Sequence, residues 1–383
     1  MIRIKSDKII CGDSIFDGYI YIEKGKISSL SKEEKGCEEC YDFTGKYVSP
    51  GFIELHTHGG GGYSFSKENE DDIIQACNFH LKHGATTILP TLSAGPIEDM
   101  KSSVEVIKKA KASGKIQNNL YGVHMEGPYL SKNQSGAQNT DYITPPVKED
   151  YEKLVNDYSD IISRWTYAPE NDSNGEFCRY ITSHGIIASA GHTDAKYPDM
   201  QTAFENGCKL VTHLYSCTSS VTRTNGFRSC GVIESAYLND DMFVEIIADG
   251  KHLPKELVQM IVKIKGEDRV ALISDSLDIA GTDIKSGCMN GVPFIVEDGV
   301  CKLSDRSAFA GSIATSDILL KFCAYECGFG IIKAVKMMTR TPAEILGVNK
   351  GAIASGYDAD IVVFDESINI SSAFVGGRKV SLI

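Results

Sequence analysis

Through the first thirty residues, apolar and polar positions alternate in short runs. The stretch "RIKSDKIICGDSIFDGYIYIEKGKISSL" (3–30) has a two-residue period broken by Asp-Gly and Lys-Gly turns, the pattern of antiparallel strands. From Tyr47 the texture changes. Short β-rich runs now alternate with stretches of helical periodicity, as in a parallel sheet with crossover helices. Eight strand candidates follow in order: "YVSPGFIEL" (47–55), "TTILPTL" (86–92), "LYGVHMEGPYL" (120–130), "SRWTYAPE" (163–170), "GIIASAG" (185–191), "LVTHLY" (210–215), "FVEIIADG" (243–250) and "RVALISDS" (269–276). Helix candidates such as "DDIIQACNFHLKHG" (71–84), "SSVEVIKKAKASG" (102–114) and "PKELVQMIVKIKG" (254–266) lie between them. Eight βα units over this length predict an α/β fold, a TIM (β/α)8 barrel. A doubly wound open sheet is the alternative, but no G-x-G-x-x-G follows any of the strands. The ending "GAIASGYDADIVVFDESINI…VGGRKV" returns to strands and turns. Residues 1–49 and 350–383 are therefore expected to build one small β-sandwich domain beside a barrel of residues 50–349.

The bulk numbers fit that picture. The 383 residues are 42% apolar and 23% charged, with no apolar run long enough to cross a bilayer, so no membrane partner is expected. "MIRIKSDKII" is too short and too alternating for a signal peptide and reads as a first strand. Twelve cysteines without a leader predict reduced thiols and a cytoplasmic protein. Cys37 and Cys40 form a C-x-x-C, read as a surface loop because no second pair stands at zinc-site spacing. A formal charge of −12 argues against nucleic acid as a partner, while a small anionic substrate stays open if a few basic groups are placed locally.

The chemistry starts at "IELHTHGGGG". In a strand, residues i and i+2 share a face, so His56 and His58 could aim at one ion. A lone H-x-H is more often structural, and the rest of the chain decides. In a TIM barrel the site lies where the strands end. The third strand candidate carries Glu126 just before Gly-Pro, His192 comes at the end of the fifth and the sixth carries His213; the seventh leads to Asp249 and His252, and the eighth ends around Asp275. Such a set suits zinc, with iron or manganese as alternatives. His124 is read as a supporting residue, and His80, His83 and His184 as helical residues away from the rim. A carboxylate on the last strand suggests a base beside metal-activated water, first taking a proton and then returning it to a leaving group. That is amide hydrolysis.

These residues also carry a resemblance. "PGFIELHTHG", "HMEGPYL", "SAGHTDA", "THLY", "IADGKH", "FAGS" and "GYDADIVVFD" resemble the amidohydrolase superfamily, and most of all its N-acetylglucosamine-6-phosphate deacetylases, from Pro50 to Asp365. The resemblance implies a metal held by Glu126, His192 and His213, a second held by His56 and His58, and Asp275 as proton shuttle. It places His252 on the sugar and Phe309, Ala310 and Gly311 along its pocket. It also implies a homodimer acting on an amino sugar phosphate.

Three departures fall on substrate recognition. Gly136-Ala137-Gln138 stands where the family has Gly-Ala-His, so Gln138 is expected to donate to the developing oxyanion in place of that histidine. Ser216, Cys217 and Thr218 replace an Asn-Ala-Met whose first two residues contact the phosphate. Thr224 occupies the place of an arginine that reaches the phosphate across the subunit interface; Arg223 is taken as its substitute, with Arg228 a few residues later. The alternatives are a related N-acetylated sugar phosphate such as the galactosamine epimer, a cyclic amide or dipeptide hydrolase, and a non-catalytic sugar-phosphate sensor. Many of the cyclic amide and dipeptide hydrolases carry a lysine on strand 4, absent from "SRWTYAPE".

Overall fold

The computed structural model describes residues 1–66 and 69–382. Eight parallel strands form the barrel: strand 1 Phe52–Thr57, strand 2 Ala85–Ser93, strand 3 Val123–Glu126, strand 4 Ile162–Tyr167, strand 5 Ile187–Ala190, strand 6 Leu210–Val211, strand 7 Phe243–Ile246 and strand 8 Val270–Leu272. Each pairs with its neighbour in sequence order. Beyond strand 8 the seam is tied by Asp275 N–H to the His56 carbonyl and His58 N–H to the Ser276 carbonyl, both at 2.9 Å.

The strand pleat sorts the side chains into two sets. Trp165, Tyr167, Ala188, Ala190, Val244, Ile246, Val270 and Leu272 pack in the cluster that includes the surrounding helices. Their alternates Leu89, Ile247, Ala271 and Ile273 form a second cluster with Ile53 and Leu55, sealed by Ala343 and Leu346 of helix Arg340–Leu346. Above this apolar layer the inward positions turn polar: Thr91, His124, Arg164, Thr166, Ser189, Thr212 and Glu245 are all buried. These polar positions carry the site.

Both ends of the chain meet in one eight-stranded sheet. Its order runs Arg378–Val380, Ile370–Val375, Ile361–Phe364, Tyr47–Pro50, Ile2–Cys11, Ser14–Glu23 and Lys26–Ser31, with Glu39–Asp42 also paired to Ile2–Cys11. Ile4, Ile20, Ile22, Val48, Ile361 and Phe374 form its core.

Two expectations need correction, and one further sheet joins the expected elements. "YVSPGFIEL" is two strands rather than one, because the chain leaves the terminal sheet at Pro50 and enters the barrel at Phe52. Gly51 marks the switch: a Cβ there would come 2.0 Å from Thr86 Oγ1. Gly51→Ala is expected to cost about 1–3 kcal/mol, seen as a lower denaturant midpoint at unchanged slope. Second, Cys37 and Cys40 are joined in a disulfide, their Cα atoms 6.4 Å apart; the other ten cysteines are free. The further sheet is three-stranded (Ser286–Met289, Val292–Glu297, Val300–Leu303) and follows strand 8. Its turns, Asn290-Gly291 and Asp298-Gly299, have positive φ at both residues, and such pairs are a readable hairpin signal.

Candidate active site

Among the described residues, two groups of side chains could hold a metal ion: His56, His58 and Glu126, and Glu126, His192 and His213. They come from the ends of strands 1 and 3 and from the segments just after strands 5 and 6. His192 and His213 have φ of 46° and 30°, and Asp275, after strand 8, 47°. Left-handed backbone is unfavourable for such residues and tends to persist where a site requires it.

Glu126 is the hinge of the cluster. Its Oε1 lies 3.1 Å from His192 Nε2, 3.0 Å from His213 Nε2 and 3.4 Å from His56 Nε2. Its Oε2 lies 3.2 Å from His58 Nε2. Asp275 Oδ1 approaches His56 Nε2 at 3.3 Å and His58 Nε2 at 3.2 Å. All four histidines thus turn Nε2 inward. The outer nitrogens of three of them are engaged from behind: His192 Nδ1 donates to the Gln134 carbonyl (2.8 Å), His213 Nδ1 to the Ser216 carbonyl (3.0 Å), and His58 Nδ1 pairs with Ser93 Oγ (3.0 Å). A neutral ring that donates from Nδ1 to a backbone carbonyl has its lone pair on Nε2. This is the arrangement that metal-binding histidines require.

The electrostatics also favour a cation. Burial works against charge on Glu126, but His56, His192 and His213 outweigh it and hold its carboxyl well below the usual range. Asp275 is likewise held low against burial by His56 and His58. Burial opposes a proton on His56, yet Glu126 and Asp275 push its pKa up to about 10. Two buried carboxylates with no Lys or Arg among the converging groups draw positive charge into the site, and a divalent ion answers the same demand. These residues fit a metal.

The cluster borders a cavity of about 230 Å³. Ala137, Gln138, Ser216, Cys217, His252, Phe309, Ala310 and Gly311 line it, together with His58, Glu126, His192, His213 and Asp275. His252 Nδ1 pairs with Asp249 Oδ2 at 2.8 Å, and its ring meets Phe309 edge-on at 4.9 Å between centroids. Cys217 comes close to Gly136, where a Cβ would stand 2.7 Å from its Sγ. A larger cavity of about 510 Å³ lies against Lys336, Arg340 and Lys350 and shares no residue with the cluster.

Several expectations change here. Gln138 is committed: its Nε2 donates to Glu126 Oε2 (2.7 Å) and its Oε1 accepts from Ala94 N–H (2.9 Å). In this structure the amide braces the shared carboxylate rather than standing free for an oxyanion. Arg223, expected to act across a subunit interface, sits on the exposed hairpin Thr222–Thr224 and Phe227–Ser229, opposite Arg228 and outside this chain's own cavity lining, so that expectation stands. His80 is not remote: buried on helix Glu70–Lys82, its Nε2 lies 2.9 Å from both the Gly59 carbonyl and Thr57 Oγ1, against the first motif. His83 pairs with Asp317 (3.0 Å) and His184 is exposed. His124 hydrogen-bonds Thr91 and Thr166 and meets the His56 ring edge-on at 4.6 Å, the supporting place expected of it.

Sequence reasoning passed over Met289 and Leu277 in the cavity lining, and the buried pair Arg164 and Glu245 beneath it. A lone Glu inside the otherwise apolar run Phe243–Ile246, and a lone Arg within strand 4, were the available signal for the pair.

Comparison with known proteins agrees with the site. The Amidohydrolase family profile matches residues 47–380. The N-acetylglucosamine-6-phosphate deacetylase of Haemophilus influenzae is 29% identical, covering 88% of this chain and 87% of its own. That of Bacillus subtilis is 29% identical, over 96% and 94%. The crystal structure of N-acetylglucosamine-6-phosphate deacetylase from Pasteurella multocida superposes with a TM-score of 0.92 at 28% identity, covering 99% of each chain. With its barrel, its converging histidines and carboxylates and a family match over most of its length, the chain belongs to the amidohydrolase family.

Proposed function

We propose that the protein hydrolyses the acetamide of N-acetylglucosamine 6-phosphate, giving glucosamine 6-phosphate and acetate. The observation that carries this reading is Glu126, shared by two histidine groups beside Asp275 in the lining of a cavity of about 230 Å³. The names of the relatives supply the substrate. Glu126, His192 and His213 would hold one divalent ion and His56, His58 and Glu126 a second, zinc in preference to iron or manganese. When bound, such an ion polarises the acyl oxygen and lowers the pKa of water towards neutrality.

The chain's own groups do the rest. Asp275 takes the proton of the attacking water as the C–O bond forms, then delivers it to the amine nitrogen as the C–N bond breaks. Gln138 keeps Glu126 in place. With Nδ1–H given to Asp249, His252 offers Nε2 to accept from a sugar hydroxyl. Phe309, Ala310 and Gly311 supply the wall along the ring. Ser216 and Cys217, in the cavity lining, would meet the phosphate, and Arg223 would come from a second copy. The hairpin that carries it also exposes Phe227 (80%), with Val221 (51%) beside it, which supports a homodimer. The ten free cysteines support a reducing, cytoplasmic setting, and the Cys37–Cys40 disulfide counts against it.

Acetate release from N-acetylglucosamine with and without the 6-phosphate tests the reading, with the galactosamine epimer alongside. Turnover is expected only with the phosphorylated glucosamine derivative. No acetate from any of these by a zinc-loaded protein would sink the sugar assignment. A chelator is expected to abolish turnover, and added zinc to restore it.

A further inference from the structure

Of the four inward-facing histidines, His56 alone has no hydrogen-bond partner on either nitrogen, although it is fully buried. Its ring is held on one side by the edge of His124. Behind it, Nδ1 faces Glu245 Oε2 at 3.8 Å, the one carboxylate within ion-pair range of that nitrogen among the described residues. Glu245 sits on strand 7, and Arg164 reaches it from strand 4 across the barrel interior, gripping both carboxylate oxygens. Both residues are wholly buried. The remaining Arg164 donors go to Ser189 Oγ (3.1 Å), Thr212 Oγ1 (2.8 Å) and the carbonyl of Leu55 (3.3 Å), the residue just before His56. One ion pair therefore holds strand 1 by its backbone and faces the outer nitrogen of its first site histidine.

A buried pair of this kind adds little net stability, because desolvation offsets its attraction. Its placement suggests another role. For the other three histidines the outer nitrogen is engaged by Gln134, Ser216 or Ser93, whereas His56 has only Glu245. A carboxylate behind Nδ1 favours the tautomer with hydrogen on Nδ1, directs the Nε2 lone pair into the site and makes it a stronger donor.

We infer that Glu245, fixed by Arg164, is the positioning residue for His56, and that cation binding by His56, His58 and Glu126 depends on this pair, whereas binding by Glu126, His192 and His213 does not. The inference rests on the reading of the cluster as a metal site.

The test is equilibrium dialysis of the full chain against buffered zinc, counting ions and their affinities. The key variant replaces both partners, Arg164→Met with Glu245→Leu, because removing one alone leaves a buried unpaired charge. Wild type is expected to bind two ions. The double variant should keep one at wild-type affinity and bind the other about 10–100-fold more weakly, the usual effect of losing a partner behind a metal-binding histidine. His56→Asn should weaken that same ion, and Arg164→Lys, which retains the carboxylate and a counter-charge, should spare both. If that double variant does not fold, Arg164→Gln with Glu245→Gln, which also removes both charges, is read in the same way. Two ions bound as in wild type by a folded variant would overturn the inference. So would equal weakening of both, the mark of a general structural defect, or a wild type whose ion count ignores His56. Ion counts do not depend on the substrate: selective loss of one ion without acetate release would remove the proposed function and leave this inference standing.

Discussion

Asp275→Asn is expected to lower kcat by about 10²–10⁴-fold, the range for loss of a general acid–base group, with zinc content and folding unchanged. The carboxylate is held in place by its backbone. Its N–H donates to the His56 carbonyl and its carbonyl accepts from Ser312 N–H, both at 2.9 Å. Asparagine fills the same space and can still hydrogen-bond, but it cannot take a proton from water. Burial works against charge on Asp275, and His56 and His58, at 3.3 and 3.2 Å, outweigh it and hold its carboxyl below the usual range. Acetate release and zinc content should be measured on the same sample. Activity within tenfold of wild type at full zinc loading would remove Asp275 from the chemistry.

Glu126→Gln is expected to weaken zinc binding at both groups by more than about 100-fold, since losing even a partner behind a ligand costs up to that much. The reason is the sharing. Its Oε1 faces His192, His213 and His56, and its Oε2 faces His58, so His192 and His213 lose the carboxylate they share and His56 and His58 are left facing Asp275. Zinc at 100 times its dissociation constant should stabilise the wild type by about 2.7 kcal/mol, from mass action alone. That gain should vanish in the variant. A variant whose unfolding midpoint still rises with zinc would show that the histidines hold the ion without Glu126.

The two changes differ in what they leave behind. Asp275→Asn spares the metal and stops the proton, whereas Glu126→Gln removes the metal and with it the activation of water. Measured together they separate the two roles, which the short distances among the six side chains otherwise blend.

Much of this protein is legible in one dimension because its signals are local. The switch from two-residue alternation to βα units announces the barrel. His58, Glu126, His192, His213 and Asp275 all stand where a strand run gives way to glycine, threonine or serine, so a reader who places the strands also places these groups at one rim. The hairpins at Asn290-Gly291 and Asp298-Gly299 were legible in the same way and were passed over. Local pattern could not show where "YVSPGFIEL" changes sheets, because the pairings on either side of Gly51, Pro50 with Ile361 and Phe52 with Ala85, are made with strands elsewhere in the chain. Nor could it show that Gln138 would be spent on Glu126, since that depends on how a loop folds back over strand 3.

By itself, then, the sequence determined the succession of elements, the residue types at the strand ends and the motifs of the family, all of which depend on neighbours along the chain. Only the tertiary structure decided which of those residues share a carboxylate, which nitrogen of each histidine faces inward, and what stands behind it. Arg164 and Glu245 are 81 positions apart on strands separated by two others, and they meet because closing the barrel puts their inward faces opposite one another. A pairing across a closed interior has no period along the chain; it exists only once the sheet has curled and the first strand has met the last.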